Sequence, residues 1–294
     1  DNDAVVGATS NVLIDADTLA EWIQQGHVGN ESGFDQKVVV VDFFGYSDTN
    51  ATKRIDGSCR IGKADLTATR FEGVADATPL VAPGATFDAM LQRLGIDEDT
   101  IVVITTEQNA PAYYQTRAYW TFRYWGFPKE NLRVLNGGNT AFAAAYPELM
   151  NFDVPTPTPS TFSVRNLAGI NDDLRASVGE MIEIVKTNLI SSNTDLVIDA
   201  RGDAYYLGNK ATSGLLEGDV VVVDGHPEGG HYLGQGGLFV DSDYTGGLFK
   251  SAAELDAMFA AVDADYADKK TTVYCTSGYS ATPLFFVLDA ILGV

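Results

Sequence analysis

The 294-residue chain holds only two cysteines, Cys59 and Cys275, and three histidines. Two thiols are too few for a disulfide framework, and so few imidazoles leave little material for a histidine-based metal cage. Basic residues are scarce: 19 Lys and Arg stand against 40 Asp and Glu, a net charge of −21. Such a surface repels phosphate backbones and anionic bilayers, so no nucleic-acid partner is expected and the charge mainly keeps the chain soluble. No apolar run approaches the roughly 20 residues of a membrane-spanning helix, so no membrane insertion is expected. An initiating Met and a signal peptide are also missing, and the opening Asp1-Asn2-Asp3 resembles a processed end or an artificial boundary.

Other patterns are incomplete. Asp241-Ser242-Asp243-Tyr244-Thr245-Gly246 opens like a calcium loop, but Ala252 stands where the twelfth-position Glu is needed. Gly229, Gly230, Gly234, Gly236 and Gly237 crowd one stretch without the strand-to-helix spacing of a nucleotide loop, so an ordinary flexible loop is expected. His226 and His231 lie in it, too few for a metal site, and the sequence calls for no cofactor.

What is present is a repeated order. The chain is long enough for two domains, and Pro155-Thr156-Pro157-Thr158-Pro159-Ser160 interrupts it as a linker. On either side the same pieces recur. Val38 to Asp42 and Asp195 to Asp199 are short apolar runs ending in Asp, as expected of strands buried on both faces. Phe87-Asp88-Ala89-Met90-Leu91 resembles Leu255-Asp256-Ala257-Met258-Phe259, and strands follow over 100–104 and 271–274. Residues 11–25, 111–126 and 279–292 are predicted helical. Alternating strands and helices imply parallel sheets, whose ligands sit at the carboxyl ends of the strands.

Cys275 follows its strand directly, in Cys275-Thr276-Ser277-Gly278-Tyr279-Ser280-Ala281, and Pro283 suits the first turn of the apolar helix beyond. A loop of small residues there turns backbone N–H groups inward from about Ser277 to Thr282. That ring and the helix end would favour an anionic sulfur and lower the thiol's pKa. Cys59, beside Gly57-Ser58, reads as a packed thiol, and Arg201 as a cation at a strand end able to draw an anionic donor.

This loop resembles the active-site loop of the thiosulfate and 3-mercaptopyruvate sulfurtransferases, in which Cys-x-x-Gly-x-Thr/Ser-Ala is typical. The stretch from Arg117-Ala118-Tyr119-Trp120 to Phe127 is similar to the family's Arg-x-x-Trp helix, and Val134-Leu135-Asn136-Gly137-Gly138 to its Leu-Asp-Gly-Gly turn. Ile55-Asp56-Gly57-Ser58 and Gly230-His231-Tyr232-Leu233-Gly234 resemble its His-Ile-Pro-Gly-Ala segment. The likeness is close over 12–151, 195–201 and 250–294 and loose over 202–249.

The resemblance implies an α/β chain of two rhodanese-like domains, each a mainly parallel sheet flanked by helices. Residues 9–151 would form a catalytically silent domain, 152–164 a linker and 165–294 the catalytic domain. The family normally adds a strand and helix after the point where this chain stops, at Val294, so a C-terminal truncation is expected. Aligning Val103-Ile104 with Val273-Tyr274 sets Thr105 at the cysteine position, and a threonine cannot carry sulfane sulfur. The implied activity moves sulfane sulfur from thiosulfate or 3-mercaptopyruvate to a thiophilic acceptor through a Cys275 persulfide. Thr276, Ser277, Gly278, Tyr279, Ser280, Ala281 and Arg201 would bind the donor. The alternative is a non-catalytic carrier relaying persulfide to a protein partner. A Cys-dependent phosphatase would need an Arg closing the loop, and 275–294 holds none. Ser277 matches the mercaptopyruvate type, yet the arginines expected after Asp199-Ala200-Arg201 are missing, Lys210 alone follows before residue 249, and Arg54 replaces the family's first-domain histidine. Similarity to periplasmic three-domain members points to export, with the cytoplasm as the alternative.

Overall fold

The computed structural model describes residues 11–28, 37–45, 52–73, 76–209, 216–217, 220–221 and 225–294. Lys210 and residues 1–10 lie outside them. In the first half the chain runs β1 (Leu13–Ile14), α1 (Ala16–Gln24), β2 (Val38–Phe43), β3 (Arg54–Ile55), β4 (Cys59–Ile61), α2 (Lys63–Leu66), β5 (Thr67–Phe71), β6 (Asp76–Val81) and α3 (Gly84–Arg93). Then come β7 (Ile101–Thr106), α4 (Tyr113–Tyr124), β8 (Leu132–Leu135), α5 (Gly138–Ala145) and β9 (Met150–Asn151). The second half holds α6 (Val178–Lys186), β10 (Asp195–Asp199), α7 (Asp203–Tyr206), β11 (Leu216–Glu217), β12 (Val220–Val221), β13 (His231–Tyr232), α8 (Ala252–Val262), β14 (Lys270–Tyr274) and α9 (Thr282–Phe286).

Two parallel sheets result, in the orders β1-β8-β7-β2-β4 and β13-β10-β14. The Val run of β2 is apolar throughout because both sheet faces are covered. Val39 and Val41 pack toward α3 and α4, whereas Val38 and Val40 pack toward Trp22 of α1 and Phe142 of α5. That is the two-residue alternation of a strand resolved onto two apolar layers. In the second half, Leu196 and Ile198 join the same core as Val39 and Val41, while Val197 packs with Ile184 and Ile190. One apolar core therefore runs through both halves, with α4 and α9 at its centre.

This position explains why α4, whose sequence is rich in Thr, Arg and Tyr, is buried around its circumference; only Tyr113 and Arg123 escape full burial. Several of its polar groups find partners in the seam: Thr116 Oγ1 lies 2.8 Å from Thr282 Oγ1, and Tyr119 Oη donates to Asp289 at 2.5 Å. The chain between the halves is strapped down rather than free. Ser160 N donates to Gln92 O at 3.0 Å, Gln92 Nε2 to Phe162 O at 2.9 Å, and Phe162 is buried.

Two helical expectations are corrected. Leu13–Ile14 is a strand beside β8, because Asp15 caps α1 by accepting from Thr18 N at 2.8 Å and so sets the helix start at Ala16. The final helix begins at Thr282 rather than 279, with Pro283 in its first turn, and continues as a π-helix over Val287–Leu292. The second sheet is also narrower. Beyond β7 the first sheet carries β8 and β1; beyond β14, among the described residues, the second carries none.

Candidate active site

The carboxyl end of β14 delivers Cys275 to the seam, and the loop behind it reverses at Gly278, whose φ of 72° favours glycine. The N–H of Gly278 donates to Cys275 Sγ at 3.1 Å. The full ring of donors expected from 277 to 282 is not completed. The Thr282 N–H is taken by Tyr279 O at 2.9 Å, since the helix starts later than the sequence suggests. Cys275 is half-buried, whereas Cys59 sits inside β4, where burial pushes its thiol up to about 11. Cys275, and not Cys59, lines the cavity between the halves.

That cavity, of about 440 Å³, lies between the halves. Thr276, Ser277, Gly278 and Ala281 line it with Cys275, and Pro79, Arg117 and Trp120 face them from the first half. Another wall is the outer edge of β14, so the space runs along the side of the sheet that carries no further strand among the described residues. Tyr279 and Ser280 do not line it. Tyr279 is buried against Tyr113, Tyr114 and Phe43, and Ser280 Oγ accepts from Gln235 Nε2 at 3.0 Å. Both anchor the loop to the body.

Arg201 is not brought to the sulfur. Its guanidinium turns back onto Asp199, with Nε 2.9 Å from Oδ1 and Nη2 2.6 Å from Oδ2, and donates to Gly225 O. Tyr274 Oη caps the same carboxylate at 2.9 Å, and Arg201 does not line the cavity. A carboxylate two residues upstream outcompetes solvent for so close a cation. His226 is stacked on Tyr206 with ring centres 3.7 Å apart, and its Nδ1 lies 2.8 Å from Tyr206 O, while His231 sits within β13.

The pairing register moves the first half's counterpart of Cys275 by one residue. Asp42 stands opposite Thr105 and Asp199 opposite Tyr274. With the two aspartates superposed, Thr106 rather than Thr105 takes the station of Cys275. Thr106 precedes the start of α4 at Tyr113 by the same seven residues that separate Cys275 from the start of α9 at Thr282. The Thr106 hydroxyl donates to Phe43 O at 3.0 Å, and that of Thr105 to Asn139 Oδ1 at 2.8 Å. Nearby, burial pushes the Asp42 carboxyl up to about 6 despite the Arg60 charge and the Asn139 hydrogen bond.

Sequence reasoning missed Arg117 as a site residue. It lies on α4, is 4% exposed, and sends its guanidinium across the seam to Gly278 O at 2.8 Å. The Arg-x-x-Trp spacing was visible, but helical periodicity placed only Tyr114, Ala118, Phe122 and Trp125 on a packed face.

No protein-family model matches the chain. It is 30% identical over 213 residues to a thiosulfate sulfurtransferase of Corynebacterium glutamicum, covering 71% of this chain and 64% of that protein. It is 27% identical over 209 residues to the sulfur carrier protein TtuD of Thermus thermophilus, covering 70% and 67%. The chain thus spans roughly two thirds of the length of these curated relatives, and less than that of the first. Among solved structures, Tum1 of Saccharomyces cerevisiae superposes with a TM-score of 0.71 at 18% identity over 95% of this chain and 89% of that one. SseA of Escherichia coli, described as a 3-mercaptopyruvate sulfotransferase of rhodanese fold, gives 0.68 at 20% identity over 95% and 94%. The chain is thus similar in sequence to a thiosulfate sulfurtransferase across seven tenths of its length, and it shares the rhodanese fold across nearly all of it.

Proposed function

We propose that the chain transfers sulfane sulfur through a persulfide on Cys275, in a tandem of which the first half is catalytically silent. The carrying observation is the placement of Cys275: a half-buried thiol at a strand's carboxyl end, held by a backbone N–H and opening on a cavity between the halves. The Cys275 thiolate attacks the outer sulfur of a donor such as thiosulfate. The donor's S–S bond breaks, sulfite leaves with the electron pair, and the protein keeps a persulfide anion. An acceptor such as cyanide or a thiolate then attacks the terminal sulfur and restores the thiolate. With 3-mercaptopyruvate, the C–S bond breaks instead and pyruvate leaves after taking up a proton. Thr276 and Ser277 line the approach, and Tyr279 and Ser280 hold the loop from behind. The Thr106 hydroxyl donates to the Phe43 carbonyl rather than to a base, which supports a scaffold role for the first half.

A second reading, a carrier that hands persulfide to a protein acceptor, is favoured by the likeness to TtuD, which is named a sulfur carrier. Both readings expect a mass gain of one sulfur atom on Cys275 after incubation with thiosulfate or 3-mercaptopyruvate, reversed by cyanide or dithiothreitol. Multiple turnover with cyanide supports the enzyme; single loading without turnover supports the carrier. Cys275→Ser should lose the gain while Cys59→Ser keeps it. Loading that survives in Cys275→Ser refutes both readings.

A further inference from the structure

We infer that Arg117, contributed by the first half, is the positioning residue of the Cys275 loop and supplies the cation that faces the anionic sulfur. The geometry begins with one peptide plane. The Gly278 N–H donates to Cys275 Sγ at 3.1 Å, while the Ser277 carbonyl of the same peptide points to Arg117 Nη1 at 3.5 Å. In a trans peptide the N–H and C=O are antiparallel, so drawing the oxygen toward the guanidinium aims the hydrogen at the sulfur. Nη1 also donates to Gly278 O at 2.8 Å, and Nη2 to Pro79 O at 3.0 Å. The head is held between Trp120 and Tyr279, 5.1 Å from each ring centre. A Cβ on residue 278 would come within 2.7 Å of Nη1, so the close approach requires glycine there.

The charge is the second, independent observation. Arg117 is buried, its hydrogen bonds end on neutral carbonyl oxygens, and its Nε has no partner. Among the described residues no carboxylate pairs with it. A guanidinium so little exposed and without a counter-ion is costly to the fold. The side chains whose negative charge would offset it are Tyr279 first and then Cys275. Tyr279 is buried, and burial raises its pKa, which leaves Cys275, whose thiolate and persulfide are both anions. The cation then acts where charge must be retained during transfer, and the first half serves the chemistry without supplying a nucleophile.

This inference rests on Cys275 being the sulfur-bearing thiol, and its test is read apart from sulfur transfer. Cys275 is alkylated with anionic iodoacetate and with neutral iodoacetamide, and the rate ratio is read at the Cys275 peptide by mass spectrometry. The ratio reports positive charge at the sulfur and is independent of how much thiolate is present. Arg117→Gln, which keeps a donor but no charge, should lower the ratio about fivefold, and Arg117→Lys should restore it to within about twofold. An unchanged ratio in a folded Arg117→Gln protein overturns the inference, as does a Lys variant that behaves like Gln. In the native protein the ratio at Cys275 should exceed that of the same cysteine in urea; a native ratio at or below the unfolded one overturns it even where no variant folds. Sulfur loading is scored in parallel. A native protein that never gains a sulfur atom refutes the proposed function and leaves the alkylation result standing.

Discussion

Asp289→Asn should loosen the seam on which the active-site loop rests. The carboxylate sits just past α9 and gathers three groups from the first half. Tyr119 Oη donates at 2.5 Å, Arg123 donates through Nε at 3.1 Å and Nη2 at 3.3 Å, and Lys129 Nζ stands 3.5 Å away. The Asp289 and Arg123 side chains are 13% and 17% exposed, so their pair is mostly shielded from water. Asparagine keeps one acceptor but turns an N–H₂ toward the guanidinium. Breaking a fully buried pair costs about 3–5 kcal/mol, and partial exposure lowers this to about 2–3 kcal/mol. Lys129 is more exposed and adds under about 1 kcal/mol. Against a typical stability of about 5–15 kcal/mol this is a large fraction, and the urea midpoint should fall by about 1 M. Circular dichroism and Trp fluorescence should fall together, because one core spans both halves. The pH dependence follows. Burial pushes the Asp289 carboxyl up, but hydrogen bonds from Arg123 and Tyr119 outweigh it and hold the group below its ordinary value of 3.8. Its contribution is therefore present above that value and lost as pH falls through the depressed native one, so native and variant stabilities should converge in acid. A midpoint unchanged by Asp289→Asn at neutral pH would refute this account of the seam.

Two further outcomes are expected. Because burial raises Asp42 to about 6, the native state binds more protons than the unfolded chain between about pH 4 and 6; thermal stability should fall as pH rises through that window, and Asp42→Asn should flatten the fall. Gly278→Ala imposes a left-handed conformation costing about 1–2 kcal/mol and drives a methyl against the Arg117 head, so Cys275 loading should slow by about tenfold or more while Cys59 stays protected from alkylation.

Much of the fold was legible because buried parallel strands write themselves as continuous apolar runs. Val38 to Asp42 and Asp195 to Asp199 are recognisable from local composition alone. Cys275 was legible for the same reason, since a thiol directly after such a strand and before a small-residue loop has few other uses. The sequence could not by itself decide what crosses between the halves. Arg201 looked like a free cation until the fold showed Asp199 within reach, and short-range ion pairing took it out of the site. Thr105 gave way to Thr106 because register is set by interstrand hydrogen bonds, which leave no local trace. Arg117 acts 160 residues from Ser277, and no periodicity in α4 marks it, because the helix is buried on every side. Strands and the candidate nucleophile follow from nearest-neighbour chemistry; the cation proposed to face it is brought there only once the two halves close on one core.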